Sequence, residues 1–339
     1  MHSRYRNLFL LVGVVAVVAM LLAFDMSWSE VWSNVRRAGI VFPAVLLLWL
    51  PIYIMNARAW QVIICDSEHR GISYWRILKY TISGYALNTV TPVGLLGGEP
   101  YRIMELTPYV GTAKATSSVI LYAMMHIFSH FCFWLFSIGL FFLRYGRSLS
   151  ASLTVLLLLI LSFCLAGVYF FLKGYRHGVL ARLLQVFGHL PWVGKRIRQQ
   201  ADKHAESIRR VDEQVAALHA QRRTTFYRSL LLEFVARMLG CFEIQLILFI
   251  FTRDVSYWDC VLMQAFASLL ANLLFFIPMQ MGTREGGLAI MTNTIHMNGA
   301  YGVLAGLITR LRDLFWIAVG LLLIRVGNKS QPEKERLEG

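Results

Sequence analysis

Two short stretches of this chain place an arginine and a glutamate beside helix-breaking residues, deep in apolar sequence. The first runs Pro92-Val-Gly94-Leu-Leu-Gly97-Gly98-Glu99-Pro100-Tyr101-Arg102, and the second Pro278-Met-Gln-Met-Gly282-Thr-Arg284-Glu285-Gly286-Gly287. In each, a proline precedes the glutamate by seven positions with glycine between them. Arginine grips a phosphate through two parallel N–H bonds. Glutamate pairs with an amine or carries a proton. Both signs together suit a zwitterionic or mixed-charge lipid headgroup, with Glu99, Arg102, Arg284 and Glu285 as the binding groups. The glycines supply tight turns. Pro100 suits the first turn of a helix, and Glu99 at that start is favoured by the helix dipole. Free N–H groups there can bind a phosphate or carboxylate. Plainer alternatives stand beside this. The first motif can be a self-satisfied cap, with Arg102 paired to Glu105, or the two arginines can merely neutralise the two glutamates. A bare cap does not explain why ionised groups recur in apolar surroundings, where their desolvation is costly.

Further charges stand inside apolar runs. Glu233 and Arg237 are at i,i+4 on one helix face, Glu243 lies deeper, and Arg310, Arg312 and Asp313 interrupt the last run. They are either pathway groups or buried ion pairs, Glu233 with Arg237 and Arg310 with Asp313, that lock helices together. His126 and His130 share a face at i,i+4. No glutamate follows His126 as in H-E-x-x-H and no third ligand is evident, so no metal is assigned. Cavity lining, proton relay and interhelical hydrogen bonding stay open for them. Asn88 and Asn272 precede the two prolines and can bond backbone groups freed at the turns. No P-loop, Rossmann fingerprint or G-x-S-x-G is present, which argues against ATP hydrolysis by the chain, and no cofactor is expected.

The elements that must position these groups are membrane helices. Of 339 residues, 57% are hydrophobic and 15% charged, against ~25% charged in a soluble domain. The net charge of +14, from 33 Lys+Arg against 19 Asp+Glu, reads as basic cytoplasmic loops facing anionic lipid, with no nucleic-acid partner. The five cysteines show no C-x-x-C spacing and read as small buried hydrophobes. Apolar runs predict six spans, at Leu8–Phe24, Ile40–Ala57, Ala113–Leu143, Ser150–Leu172, Ser229–Thr252 and Tyr301–Val326. The first follows Arg4 and Arg6, lacks a clear cleavage site, and is read as a retained span. The segments 73–109 and 257–297 each hold an amphipathic or apolar limb, one of the two turns, and a second limb too short to cross. Both are expected to be re-entrant hairpins.

The expected fold is therefore all-α, a polytopic integral membrane protein of about six transmembrane helices plus two re-entrant hairpins. It forms one membrane domain. Residues 1–70 are an N-terminal transmembrane hairpin, 71–172 a first half, 173–228 a cytoplasmic amphipathic connector, 229–326 a second half, and 327–339 a disordered tail. Basic residues put the N-terminus, the connector and the tail in the cytoplasm. The hairpins then open on opposite faces, and the halves have inverted topology, as in many transporters. Arg144 and Arg147 fall on the outer face, a mild violation of the charge rule.

On Thr91-Pro92-Val-Gly94 through Gly97-Gly98-Glu99-Pro100-Tyr101-Arg102, on Pro278 through Gly282 and Glu285, and on length and layout, the chain resembles the lysylphosphatidylglycerol synthase transmembrane family. That family is the flippase-like membrane half of the multiple peptide resistance factor, and also occurs as stand-alone proteins. The resemblance covers about Ile40 to Val326. It implies two re-entrant segments in opposed halves and movement of lipid between leaflets. The family's aminoacyl-transferase domain has no counterpart here, so a lysylated lipid is not assumed and a separate lipid-modifying synthase is a candidate partner.

The expectation is a phospholipid translocase working by alternating access, a transporter and not an enzyme, in the bacterial cytoplasmic or inner membrane. Two alternatives stand beside it: a membrane-embedded transferase acting on a lipid-linked substrate, and a small-solute exporter. The identity of the lipid, its direction, its energy coupling and the oligomeric state are not legible.

Overall fold

The computed structural model describes residues 5–11, 13–15, 36, 38–65, 72–90, 97–146, 151–174, 223–274, 280 and 282–326. Their regular elements are all helices, with no strand among the described residues. After a short apolar helix, Tyr5–Val15, come α1 (Val41–Ile64), α2 (Tyr74–Val90), α3 (Gly98–Val110), α4 (Thr112–Tyr145), α5 (Ala151–Gly174), α6 (Arg223–Leu248), α7 (Tyr257–Leu273), α8 (Thr283–Thr294) and α9 (Gly299–Arg325). The protein is an all-α membrane protein. Among the described residues, Val41–Ile64, Thr112–Tyr145 and Ala151–Tyr169 are long and apolar enough to cross a bilayer. The helices α6 and α9, at 26 and 27 residues, have the length. Their ionised residues, Glu233, Arg237 and Glu243 in one and Arg310, Arg312 and Asp313 in the other, lower their apolarity.

Element boundaries follow local chemistry. Ser256 caps α7 by accepting from the Trp258 N–H, and Asn298 caps α9 by accepting from the Ala300 N–H. Gly282, at φ 77°, turns the chain into α8. At Gly98 a Cβ would overlap the Gly84 carbonyl oxygen, so glycine there lets α3 close onto α2.

The packing has a hidden two-fold plan. The helix α6 runs along α1; α2 packs on α3 and α9, and α7 on α8 and α4; α3 packs on α4 and α8 on α9. Exchange α1 with α6, α2 with α7, α3 with α8 and α4 with α9, and this contact pattern maps onto itself. The remaining neighbours, α1 with α2, α4 and α9 and α6 with α7, α9 and α4, obey the same exchange. Among α1–α9, α5, which lies on α4, stands outside it.

The core divides by height. One apolar cluster joins the C-terminal half of α1 (Trp60, Ile63, Ile64), α2 and α3 (Leu87, Tyr101), the N-terminal half of α4, Phe226 of α6 and the C-terminal half of α9. A second joins Val45 of α1, Phe141 of α4, the C-terminal end of α6 (Ile244, Ile247, Leu248), α7 and α8, and Ala305 and Ile308 of α9. So α1 and α6 are antiparallel, and the broken pairs α2–α3 and α7–α8 occupy opposite ends of the bundle.

Several expectations need correction. The helix α1 runs seven residues past Ala57, because Arg58 lies over the Tyr74 ring (5.6 Å) and bonds Gln61, while Ala59, Trp60, Ile63 and Ile64 are buried. Gly286 and Gly287 are not turn residues. Both lie inside α8, where a Cβ on Gly287 would come within 2.9 Å of the Ala267 Cα. Gly97 and Gly98 do sit at the helix break, as N-cap and first residue of α3. Pro92, Gly94 and Pro278 lie outside the described residues, as do most of the connector, the tail, Arg147 and the second half of the expected first span. Arg144 is neutralised where it stands, 3.2 Å from Asp259, which also accepts from the Tyr145 hydroxyl at 2.9 Å.

Candidate functional site

The first helix break is stitched by Asn88. Its Oδ1 accepts from the Gly98 N–H at 2.7 Å, and its Nδ2 donates to Glu99 Oε1 at 3.0 Å. One amide side chain thus satisfies an orphan donor at the start of α3 and fixes the glutamate beside it. Arg102, one turn on, donates from Nη1 to both Glu99 oxygens at 3.1 Å and from Nη2 to the Thr81 carbonyl at 3.3 Å. Its guanidinium lies over the rings of Tyr122 (5.3 Å) and Trp60 (5.7 Å). Arg102 does not pair with Glu105, which stands 3.8 Å from Arg6. Among the described residues Asn272 makes no matching bond; it donates to Ser268 O within its own helix.

Tyr122 connects this pair to a second group on α4 and α6. Glu233 is almost wholly buried and faces Tyr122, Arg237 and His126, whose Nδ1 is 2.8 Å from Glu233 Oε2. Arg237 stands 4.0 Å from Glu233. It spends its donors on Ser129 Oγ (2.7 Å), the His126 carbonyl (2.7 Å) and the His130 ring. The simple i,i+4 pair expected from the sequence is therefore a loose one.

The second break carries a larger network. Arg284 Nη1 donates to Asp313 Oδ2 at 2.7 Å, and Tyr85 of α2 donates to Asp313 Oδ1 at 3.1 Å. One carboxylate on α9 thus holds both broken pairs, α8 through Arg284 and α2 through Tyr85. Arg312 lies 2.8 Å from Asp313 Oδ1 and 2.9 Å from Glu243 Oε1, with its guanidinium 3.7 Å above the Trp49 ring. Trp49 Nε1 donates to Glu243 Oε2 at 3.0 Å. Arg310 pairs with Glu285 through Nε and Nη2, and Nη2 also donates to the Gln280 carbonyl at 3.3 Å. Gln280, at φ 55°, gives its side-chain oxygen to Arg284. Arg310 and Asp313 are thus not each other's partners, and Arg284 neutralises Asp313 where Glu285 was the expected mate.

Every buried carboxylate in these two networks faces a cation, and each network is near neutrality. Such pairing is what a low-dielectric interior demands, because a lone ion there is far costlier than a matched one. The two arginines differ in access: the Arg102 side chain is 6% exposed and that of Arg284 29%. Tyr85, Trp49, Tyr122 and Gln280 escaped the sequence reading. An aromatic residue in an apolar helix carries no signal that separates packing from hydrogen bonding. Gln280 could have been flagged, being a polar residue two positions after Pro278 in an apolar stretch.

The family model described as the lysylphosphatidylglycerol synthase TM region matches residues 10–320. That is nearly the whole chain. No curated protein and no solved structure matches it.

Proposed function

The chain belongs to the lysylphosphatidylglycerol synthase TM region family, and from that premise and the geometry above we propose that it is a phospholipid translocase. It moves a polar-headgroup lipid between leaflets by alternating access, as a transporter that changes no covalent bond, in a bacterial cytoplasmic membrane. On this reading α2–α3 and α7–α8 are re-entrant hairpins entering from opposite faces, and α6 and α9 are spanning helices whose charges are sheltered by protein. The self-exchanging contact pattern of α1–α4 and α6–α9 supports two inverted halves that rock against each other.

The observation that carries the reading is the double grip of Asp313, whose two oxygens hold Tyr85 of one broken pair and Arg284 of the other. A carboxylate shared in this way registers the position of both gates at once. The arginines rest on carboxylates, Arg102 on Glu99 and Arg284 on Asp313. A phosphodiester is the right replacement, because it offers arginine the same bidentate geometry. The headgroup phosphate takes over Arg284, the more accessible of the two, and Arg102 as the bundle rocks. The released carboxylates, with Glu285, receive an amine where the headgroup has one. By exchanging anions, the site avoids leaving a buried arginine unpaired, a state that costs about 3–5 kcal/mol.

Native mass spectrometry of the purified protein tests the occupant. The expected result is a retained phospholipid that is lost from Arg284→Gln. A wild-type protein carrying a polar solute and no lipid would favour a small-solute exporter, and turnover of a lipid-linked substrate would favour a transferase.

A further inference from the structure

Resting on the translocase reading, the buried carboxylates also bear on what travels with the lipid. In the two networks, Glu99, Glu243, Glu285 and Asp313 each touch an arginine, at 3.1 Å for Glu99, 2.9 Å for Glu243 and 2.7 Å for Asp313. Arginine is a permanent cation, since it holds its proton at any physiological pH. Glu233 differs. Its direct partner is His126, at 2.8 Å, while Arg237 stands off at 4.0 Å and is committed to Ser129, the His126 carbonyl and His130. A carboxylate 1% exposed thus leans on a cation that exists only when a proton is bound.

We propose that His126 and Glu233 form the proton-binding site that couples lipid movement to a proton gradient. A neutral imidazole with its hydrogen on Nδ1 donates to Glu233 Oε2 and leaves the Nε2 lone pair to accept a proton. The His126 side chain is 38% exposed and that of Glu233 1%, so of the two the imidazole is the one an incoming proton meets first. Loading converts imidazole to imidazolium; unloading on the other side returns it, and no other bond changes. The groups facing the pair are Tyr122 and His130 on α4, Arg237 on α6 and Arg102 on α3. The charges of Glu99, Arg102, Glu233 and Arg237 cancel, so one added proton leaves the cluster cationic. That excess suits one anionic phosphodiester, and lipid and proton cross together as a neutral load. Tyr122, beside Glu233 and under the Arg102 guanidinium, is the link by which loading at α4 reaches the helix break at α3.

The test uses the full chain in vesicles of phosphatidylethanolamine and phosphatidylglycerol, with trace headgroup-labelled phosphatidylglycerol and pyranine inside. The membrane potential is clamped with valinomycin and potassium. A gradient of one pH unit should shift the steady-state leaflet ratio of the label ~10-fold, the factor expected for one proton per lipid, and pyranine should record matching proton entry. His126→Gln, permanently neutral, and His126→Arg, permanently charged with the ion pair kept, should both lose the gradient response and the pyranine signal. Either variant carries the test once it elutes as monodisperse protein. If wild-type protein redistributes label equally with and without the gradient, the coupling is overturned and the translocase reading stands. If a folded variant responds like wild type, His126 is not the site. If no label moves under any condition, the translocase reading falls and takes the coupling with it.

Discussion

Removing the Asp313 carboxylate should damage the protein in a graded way that the geometry sets in advance. Asp313 is bound by Arg284 at 2.7 Å, Arg312 at 2.8 Å and Tyr85 at 3.1 Å. In Asp313→Ala, Arg312 keeps Glu243, but Arg284 keeps only its 3.3 Å bond to Gln280 and Tyr85 loses its acceptor. Breaking a buried pair from one side costs about 3–5 kcal/mol, and the partial exposure of Arg284 places this case near the lower figure. Tyr85→Phe removes one hydrogen bond and should cost about 1 kcal/mol. In Asp313→Ala, Tyr85→Phe should then cost almost nothing more, because the bond it removes is already gone. Equilibrium unfolding in mixed micelles, followed by tryptophan fluorescence, measures all three. If Asp313→Ala is no worse than Tyr85→Phe, or if the two costs simply add, the carboxylate does not bind the two broken pairs together.

Other expectations follow from the same contacts. Gly98→Ala should abolish stable expression, because its Cβ overlaps the Gly84 carbonyl, whereas Gly286→Ala, with nothing within 4 Å of the new Cβ, should match or raise wild-type stability by up to about 1 kcal/mol; the yield of monodisperse protein tests the first and thermal melting the second. Asn88→Ala strands the Gly98 N–H and takes a donor from Glu99, and should cost about 1–3 kcal/mol in the same unfolding assay. Trp49→Phe keeps a ring beneath Arg312 but removes the donor to Glu243; a loss of about 1.5–3 kcal/mol is expected for a bond to a charged group, and a neutral result would show that Glu243 is satisfied by Arg312 alone.

The two helix breaks were legible because prolines, glycines and ionised residues are rare together in apolar sequence, and their recurrence in two halves pointed to an inverted plan. The partners were not. Sequence reasoning pairs charges three or four positions apart, and it proposed Arg102 with Glu105, Glu233 with Arg237 and Arg310 with Asp313. Among the described residues, Glu99 with Arg102 is a close pair of that local kind, and Glu233 with Arg237 a loose one at 4.0 Å. Asp313 finds Arg284 across 29 positions, Glu285 finds Arg310 across 25, Glu243 finds Arg312 across 69, and Glu233 finds His126 across 107. Those choices are made by helix packing, which periodicity alone does not specify. The sequence understates the length of α1 for a related reason. A charged residue such as Arg58 reads as an end, but a long cationic side chain can lie along an aromatic ring at the helix surface while the chain continues past it.

The most direct measurement is leaflet exchange of a headgroup-labelled phospholipid in liposomes, read by an impermeant reductant, with wild-type protein set against the Glu99→Ala plus Arg102→Ala variant. The account predicts that reductant reaches the label of both leaflets with wild-type protein and of the outer leaflet alone with the folded double variant. Inner-leaflet label that stays protected from reductant with wild-type protein, or exchange that persists unchanged in the variant, would contradict it.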